Sequence, residues 1–314
     1  MIKRFITVVF LITGLAANTN AQLTNSTENP SQAKFVYQDI INFINAFNMI
    51  NDQADTVEIL QKHYLDKGTP GLKIFIEKYE LNAEELTEAI RKNPEDYKAL
   101  QKKLDWIKTQ EDSVIKYFIK LKQFIPSAQY PPTYFLVGRR WGIGSGSIEG
   151  QLITIEKKAV KIVDKGLKTH IVHELVHLNQ LHAIGSLEKY LAIYNDEKSL
   201  LAITIREGIA EFFAKMVTGE YTQDEAAEYV LKNERELWGR FEKEMLAKDT
   251  KDWMWSKTEI PDQPRDAAYV LGALIIEYYY THATDLDSTV DEILSVTNYP
   301  AFIQKTKYIN KFKD

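Results

Sequence analysis

The 314-residue chain contains no cysteine. Disulfides, thiolate nucleophiles and thiolate metal sites are all excluded, so stability must come from packing and from any metal the chain binds. Proline and glycine are scarce, at 9 and 14 residues, and five of the glycines crowd into residues 138–150. Elsewhere little interrupts helical periodicity. Positive charge is not in excess: 39 Lys and Arg stand against 44 Asp and Glu, for a net charge of −5. That balance excludes a nucleic-acid binder, which needs a basic face. The longest apolar run, residues 5–16, falls short of the roughly 20 residues that cross a bilayer. With 45% hydrophobic residues the chain can still bury a sizeable core.

The opening residues read as an address rather than as fold. Lys3 and Arg4 precede the apolar stretch, and residues 17–21 are small and polar, with Thr19 and Ala21 at the −3 and −1 places of a cleavage site. This is the pattern of a secretory signal peptide over residues 1–21. No cysteine follows it, which excludes lipid attachment there, and no later stretch reads as a membrane span. The expected location is the periplasm or the medium. Residues 22–33 (QLTNSTENPSQA) are polar and expected to form a disordered lead-in.

From 34 to 128 apolar residues recur at helical spacing, as in DWIKTQEDSVIKYFIKLKQFI, and a helical lobe is expected there. Thr69-Pro70-Gly71 is a turn, and Asn93 before Pro94 marks a helix boundary. The character changes at Pro131-Pro132. Residues 133–138 (TYFLVG) and 151–156 (QLITIE) read as strands on either side of the glycine-rich loop. A dinucleotide site needs a helix directly after such a loop, whereas here a strand follows. An edge strand in this place can instead take up an extended peptide. Residues 199–218, 224–247 and 266–283 all look helical. The expectation is a mainly α chain with a small antiparallel β-sheet (α+β), residues 129–314 forming the second domain.

Within the apolar-periodic stretch 166–182 stands His173-Glu174-Leu175-Val176-His177. A random chain with only six histidines shows H-E-x-x-H about one time in a hundred. Leu167, Ile171, Leu175, Leu178 and Leu181 keep helical spacing around it, so His173 and His177 lie one turn apart on one face and can grip one Zn2+. Glu174 beside them is placed to polarise a water as general base. Catalytic zinc usually takes three protein ligands, so a third is needed. The longer motif H-E-x-x-H-x-x-G-x-x-H requires Gly at 180 and His at 183, where this chain has Gln180 and Ala183. His170 and His182 are merely near. The stronger candidate lies in residues 201–214 (LAITIREGIAEFFA), an apolar helix carrying Glu207 and Glu211 at i and i+4. Carboxylates on such a helix are costly to bury unless paired or metal-bound. Glu207 completes a His2Glu set, and Glu211 one turn on can accept the second N–H of a ligating imidazole. Surface pairing of Arg206 with either glutamate is the competing explanation.

HELVH followed by REGIAEFF resembles the gluzincins, among them thermolysin and the aminopeptidase N family, in which a later helix supplies a glutamate ligand. Glu207 matches the ligand position and Glu211 the acidic position beyond it. Arg206 stands where those families often have Asn, and the gap from His177 to Glu207 is longer than in thermolysin. The chain is closer still to a bacterial family of predicted secreted zinc-dependent proteases, a domain of unknown function. Its members share a G-R strand end with a Gly-rich loop, HExxH, an E-G-x-A-E helix and a late P-R…Y-x-x-G helix. Here these are Gly138-Arg139, HELVH, Glu207 to Glu211, and Pro264-Arg265 with Tyr269 and Gly272. The likeness covers about residues 130–305 and reaches into the helical lobe at YLDKGTPGL.

The resemblance implies a zincin-like catalytic core behind the N-terminal helical lobe, a Zn2+ cofactor, and a peptide or protein substrate hydrolysed by a zinc-bound water with Glu174 as base. Within that mechanism Tyr269, then Arg265, is the expected donor to the carbonyl oxygen as it turns negative. Tyr278, Tyr279, Tyr280 and His282 share the helix of Tyr269, and a tyrosine-rich helix more often packs a core. The alternative is a non-catalytic secreted binding protein with a structural or vestigial zinc site. A structural site has no use for a base at Glu174.

Overall fold

The computed structural model describes residues 23–140, 142, 144–157, 160–255 and 258–313. The segment read as a signal peptide lies outside them. Helix accounts for 64% of the chain and a small four-stranded sheet completes it, so the class is mainly α with a small sheet (α+β), as the periodicity predicts. The described residues fall into two compact units, one from residue 23 to 116 with 129–171, the other 117–128 with 172–313.

The first unit holds strands β1 (Phe35–Val36), β2 (Thr133–Leu136), β3 (Gly144–Ser147) and β4 (Gly150–Thr154). Its helices are α1 (Gln38–Phe47), α2 (Thr56–Leu60), α3 (Pro70–Tyr79), α4 (Ala83–Lys92), α5 (Pro94–Lys98) and α6 (Leu100–Thr109). The strands lie in the order β1-β2-β4-β3. β2 runs parallel to both β1 and β4, and only β3 is antiparallel to its neighbour. The sheet is therefore mixed, not antiparallel as expected. The cause is the glycine-rich stretch, part of which is itself a strand. The chain runs along β2, returns along β3 and turns at once into β4, so β4 enters in the direction of β2 and slots beside it. β2 and β4 are buried at every position, and strands covered on both faces lose the polar alternation of a half-exposed one.

The end of β2 is pinned by two tyrosines. Tyr64 donates its hydroxyl to the Val137 carbonyl at 2.7 Å and accepts from the Val137 N–H at 3.0 Å, and Tyr97 donates to the Gly138 carbonyl at 3.0 Å. Gly71, in the first turn of α3, lies against Tyr134, and a Cβ there would come within 2.3 Å of that ring. These contacts give YLDKGTPGL a structural task. Residues 23–33 are held in place rather than disordered. Leu23 is buried, Thr24 N–H donates to the Ile148 carbonyl at 2.8 Å, and Thr27 and Tyr130 exchange backbone bonds of 3.3 and 2.8 Å. Backbone pairing needs no apolar side chains, which is why a polar composition conceals it.

Helices α7 (Glu111–Phe124) and α8 (Val160–Ile184) have residues in both units. The second unit continues with α9 (Leu187–Asp196), α10 (Leu200–Thr218), α11 (Asp224–Glu244), α12 (Ala267–Thr281), α13 (Leu286–Leu294) and α14 (Tyr299–Thr306). The Ser199 hydroxyl caps α10 by accepting from Ala202 N–H at 3.2 Å, and Gly219 ends the helix with φ +84°. Between these stops α10 is apolar almost all round and buried almost throughout, the signature of a central helix. It packs closely against α12, which is also apolar. The two cross backbone to backbone. A Cβ on Gly208 would lie 2.3 Å from Gly272, and one on Gly272 would lie 2.2 Å from the Thr204 carbonyl oxygen. No described helix is long and apolar enough to cross a membrane.

Candidate metal centre

The residues singled out on α8 and α10 meet inside the second unit. His173 and Glu174 are buried, His177 is half-buried, and Glu207 and Glu211 are buried on α10. His173 Nε2, His177 Nε2 and Glu207 Oε2 form a nearly equilateral triangle with sides of 3.3, 3.2 and 3.2 Å. Each imidazole has a second partner behind it. His173 Nδ1 lies 3.1 Å from Glu211 Oε2, and His177 Nδ1 lies 2.8 Å from Gln180 Oε1.

Those rear contacts decide where the hydrogens are. A carboxylate only accepts, so His173 donates from Nδ1 to Glu211. The Gln180 amide donates from Nε2 to the Arg206 carbonyl at 3.3 Å, which turns its oxygen toward His177, so His177 also donates from Nδ1. A neutral imidazole with its hydrogen on Nδ1 has a lone pair on Nε2. Two imidazole lone pairs and a carboxylate oxygen thus point at one another, and they hold together only around a positive charge.

A proton supplies that charge in the bare protein. Burial disfavours the charged form of His173, but hydrogen bonds to Glu207 and Glu211 outweigh it and raise its pKa to about 10. Burial also disfavours ionised Glu207, yet the charge of His177 and the hydrogen bonds from both imidazoles hold its carboxyl far below the usual range. A metal ion supplies the charge equally well. The three donor atoms fit one: donors about 2.0–2.1 Å from a tetrahedral ion stand about 3.3 Å apart, matching the measured sides. His173, His177 and Glu207 are close enough to hold a metal ion.

Glu211 is anchored in turn. Its carboxylate accepts from Thr222 N–H and from the Thr222 hydroxyl, both at 2.6 Å, besides His173. Arg206 does not pair with either glutamate. Its guanidinium lies 4.0 Å over the Tyr194 ring and donates to the Glu197 carbonyl at 3.0 Å. Tyr269 is brought to the triad, its ring stacked on His173 with centroids 6.0 Å apart. The Gly208–Gly272 crossing permits this approach, since Tyr269 sits one turn before Gly272. Burial, and the charges of Glu207 and Asp266, keep its phenol protonated by pushing the pKa far up. Its hydroxyl accepts the indole N–H of Trp255 at 2.9 Å. Arg265 is exposed and paired with Asp266 at 2.6 Å, and no described contact joins it to the triad. Tyr278 and Tyr279 serve packing and Glu292.

Sequence reasoning missed Gln180, Thr222 and Trp255 as partners of the site. Gln180 carried a signal, being one turn beyond His177 on the same helix. Thr222 and Trp255 lie in connecting segments whose path depends on packing. Comparison with family models, with curated proteins and with solved structures finds no match for this chain.

Proposed function

We propose that this chain is an exported zinc-dependent peptidase. The observation that carries the reading is the triangle of His173, His177 and Glu207, with both imidazoles fixed from behind so that their lone pairs face Glu207. Two imidazoles and one carboxylate are the ligand set of catalytic zinc, which keeps one position open. Zinc bound there supplies a Lewis acid that acidifies water toward a pKa of about 7 and polarises a carbonyl.

The chain's own residues divide the remaining work. Glu174 follows His173 on α8, and its charge is felt by His173 and by Tyr269. It takes the proton of the attacking water and hands it to the leaving amine. Tyr269 accepts from Trp255, which leaves its own hydrogen to donate to the carbonyl oxygen as that turns negative. Arg265, exposed and tied to Asp266, is the second candidate for that donation. Glu211 holds His173 in one tautomer. Export to the periplasm or the medium rests on the signal-peptide pattern of residues 1–21.

The test is the metal content and peptide hydrolysis of the mature protein beside Glu174→Gln and Glu207→Ala. The expected result is about one zinc per chain, lost in Glu207→Ala. Glu174→Gln should keep the zinc and lose about 100- to 10,000-fold in hydrolysis. Activity retained in Glu174→Gln, or zinc lost with it, sinks the mechanism. A zinc-loaded wild type that cleaves no member of a peptide library leaves a metal-binding protein without this activity.

A further inference from the structure

We infer that Gln180 is a positioning residue of the metal centre: one amide fixes the His177 imidazole for the ion and ties that imidazole to the backbone that precedes Glu207. The inference rests on the metal reading above. Gln180 is buried, 4% exposed, one helical turn past His177. Its two ends have distinct partners, His177 Nδ1 at 2.8 Å and the Arg206 carbonyl at 3.3 Å. The carbonyl only accepts, so the amide cannot flip without setting its oxygen against another oxygen. That constraint passes to the imidazole, whose Nδ1 must carry the hydrogen and whose Nε2 must present a lone pair.

The two histidines are therefore held by different chemistry. His173 is backed by a carboxylate that is itself anchored on Thr222, whereas His177 is backed by a neutral amide anchored on the neighbouring helix. The Arg206 carbonyl belongs to the residue before Glu207. Gln180 thus spans from one ligand to the backbone next to another, and it fixes the spacing of α8 and α10 at the metal. Residues behind a ligating imidazole typically contribute 10- to 100-fold in metal affinity.

The experiment measures zinc affinity by chelator competition for the wild type, Gln180→Leu and Gln180→Glu. Leucine fills a similar volume without an acceptor, and its affinity should fall about 10- to 100-fold. Glutamate restores the acceptor behind His177 but sets an oxygen against the Arg206 carbonyl, so it should bind zinc with an affinity between those of leucine and wild type. Matching thermal unfolding of the metal-free variants shows that packing is preserved. In zinc-loaded wild type, labelled imidazole spectra should show a His177 Nδ1–H that exchanges slowly with water. That measurement needs no variant, so misfolding of either cannot shield the inference. Leucine binding zinc like wild type, glutamate binding it as tightly as wild type, or a rapidly exchanging Nδ1–H overturns the two-ended role of Gln180. Wild type that takes up no zinc overturns the metal reading itself, a separate outcome.

Discussion

Both units bury carboxylates, and they do so in opposite ways. In the first, Asp39 and Glu156 are fully buried. Asp39 accepts from the backbone and hydroxyl of Thr69, and Glu156 from the Arg140 N–H at 3.0 Å. Burial dominates there, and both pKa values rise. In the second unit Glu207 is buried as well, yet its pKa falls, because the imidazoles that face it hold a proton against it. Backbone N–H groups and hydroxyls satisfy an acid without adding charge. Imidazoles invite a cation between themselves and the acid. A buried carboxylate is thus a mark of architecture or of chemistry according to what faces it.

The largest effect that sharpens this contrast is at Glu207. Glu207→Gln removes the anionic ligand, and zinc affinity measured by chelator competition should fall by more than the roughly 100-fold assigned to outer partners. Glu211→Gln keeps the shape and loses the charge behind His173, so about 10- to 100-fold is expected in the same assay. Gly272→Ala forces a Cβ onto the Thr204 carbonyl. It should cost about 1–3 kcal/mol, seen as a lowered Tm, and weaken metal binding as α10 and α12 separate. The smallest effects concern protons. His173 has a folded pKa of about 10 against an ordinary 6.5, so its stabilisation of metal-free protein is complete below pH 6.5 and lost as pH rises through 10. Urea unfolding of chelator-treated protein across that range should follow this loss. Burial raises the pKa of Glu156, which makes its charge a cost to the fold, so Glu156→Gln should change stability by less than about 1 kcal/mol. A large loss at Glu156 would erase the contrast between the units.

Much of the site was legible because helices write their geometry locally. His173 and His177 are four apart on an apolar-striped segment, and Glu207 and Glu211 repeat the interval on α10. Two acids on an otherwise apolar helix demand partners, and only six histidines were available to be them. The distance between α8 and α10 was not legible, since it depends on how Gln180 and Arg206 meet. Tyr269 could be singled out by its motif, but its stacking on His173 follows from two glycines crossing at backbone contact. The sheet was misread because strand direction is a long-range property. Glycine marked Gly144–Ser147 as loop, while pairing with β4 made it a strand. The change of composition at Pro131-Pro132 marks the start of β2, yet β2 pairs with β1 and packs with α1 from much earlier in the chain. Composition reports local character and not which segments share a core.

The triangle of donors also bears on how a chain without cysteine is held together. An ion on these ligands joins His177 of α8 to Glu207 of α10, 30 positions away. It acts as a removable staple across the two helices, closing a loop as a disulfide would. Binding only the folded form, it adds about 4 kcal/mol when free metal is 1,000 times its dissociation constant. Chelators would then act on this protein as reductants act on others, by opening its cross-link.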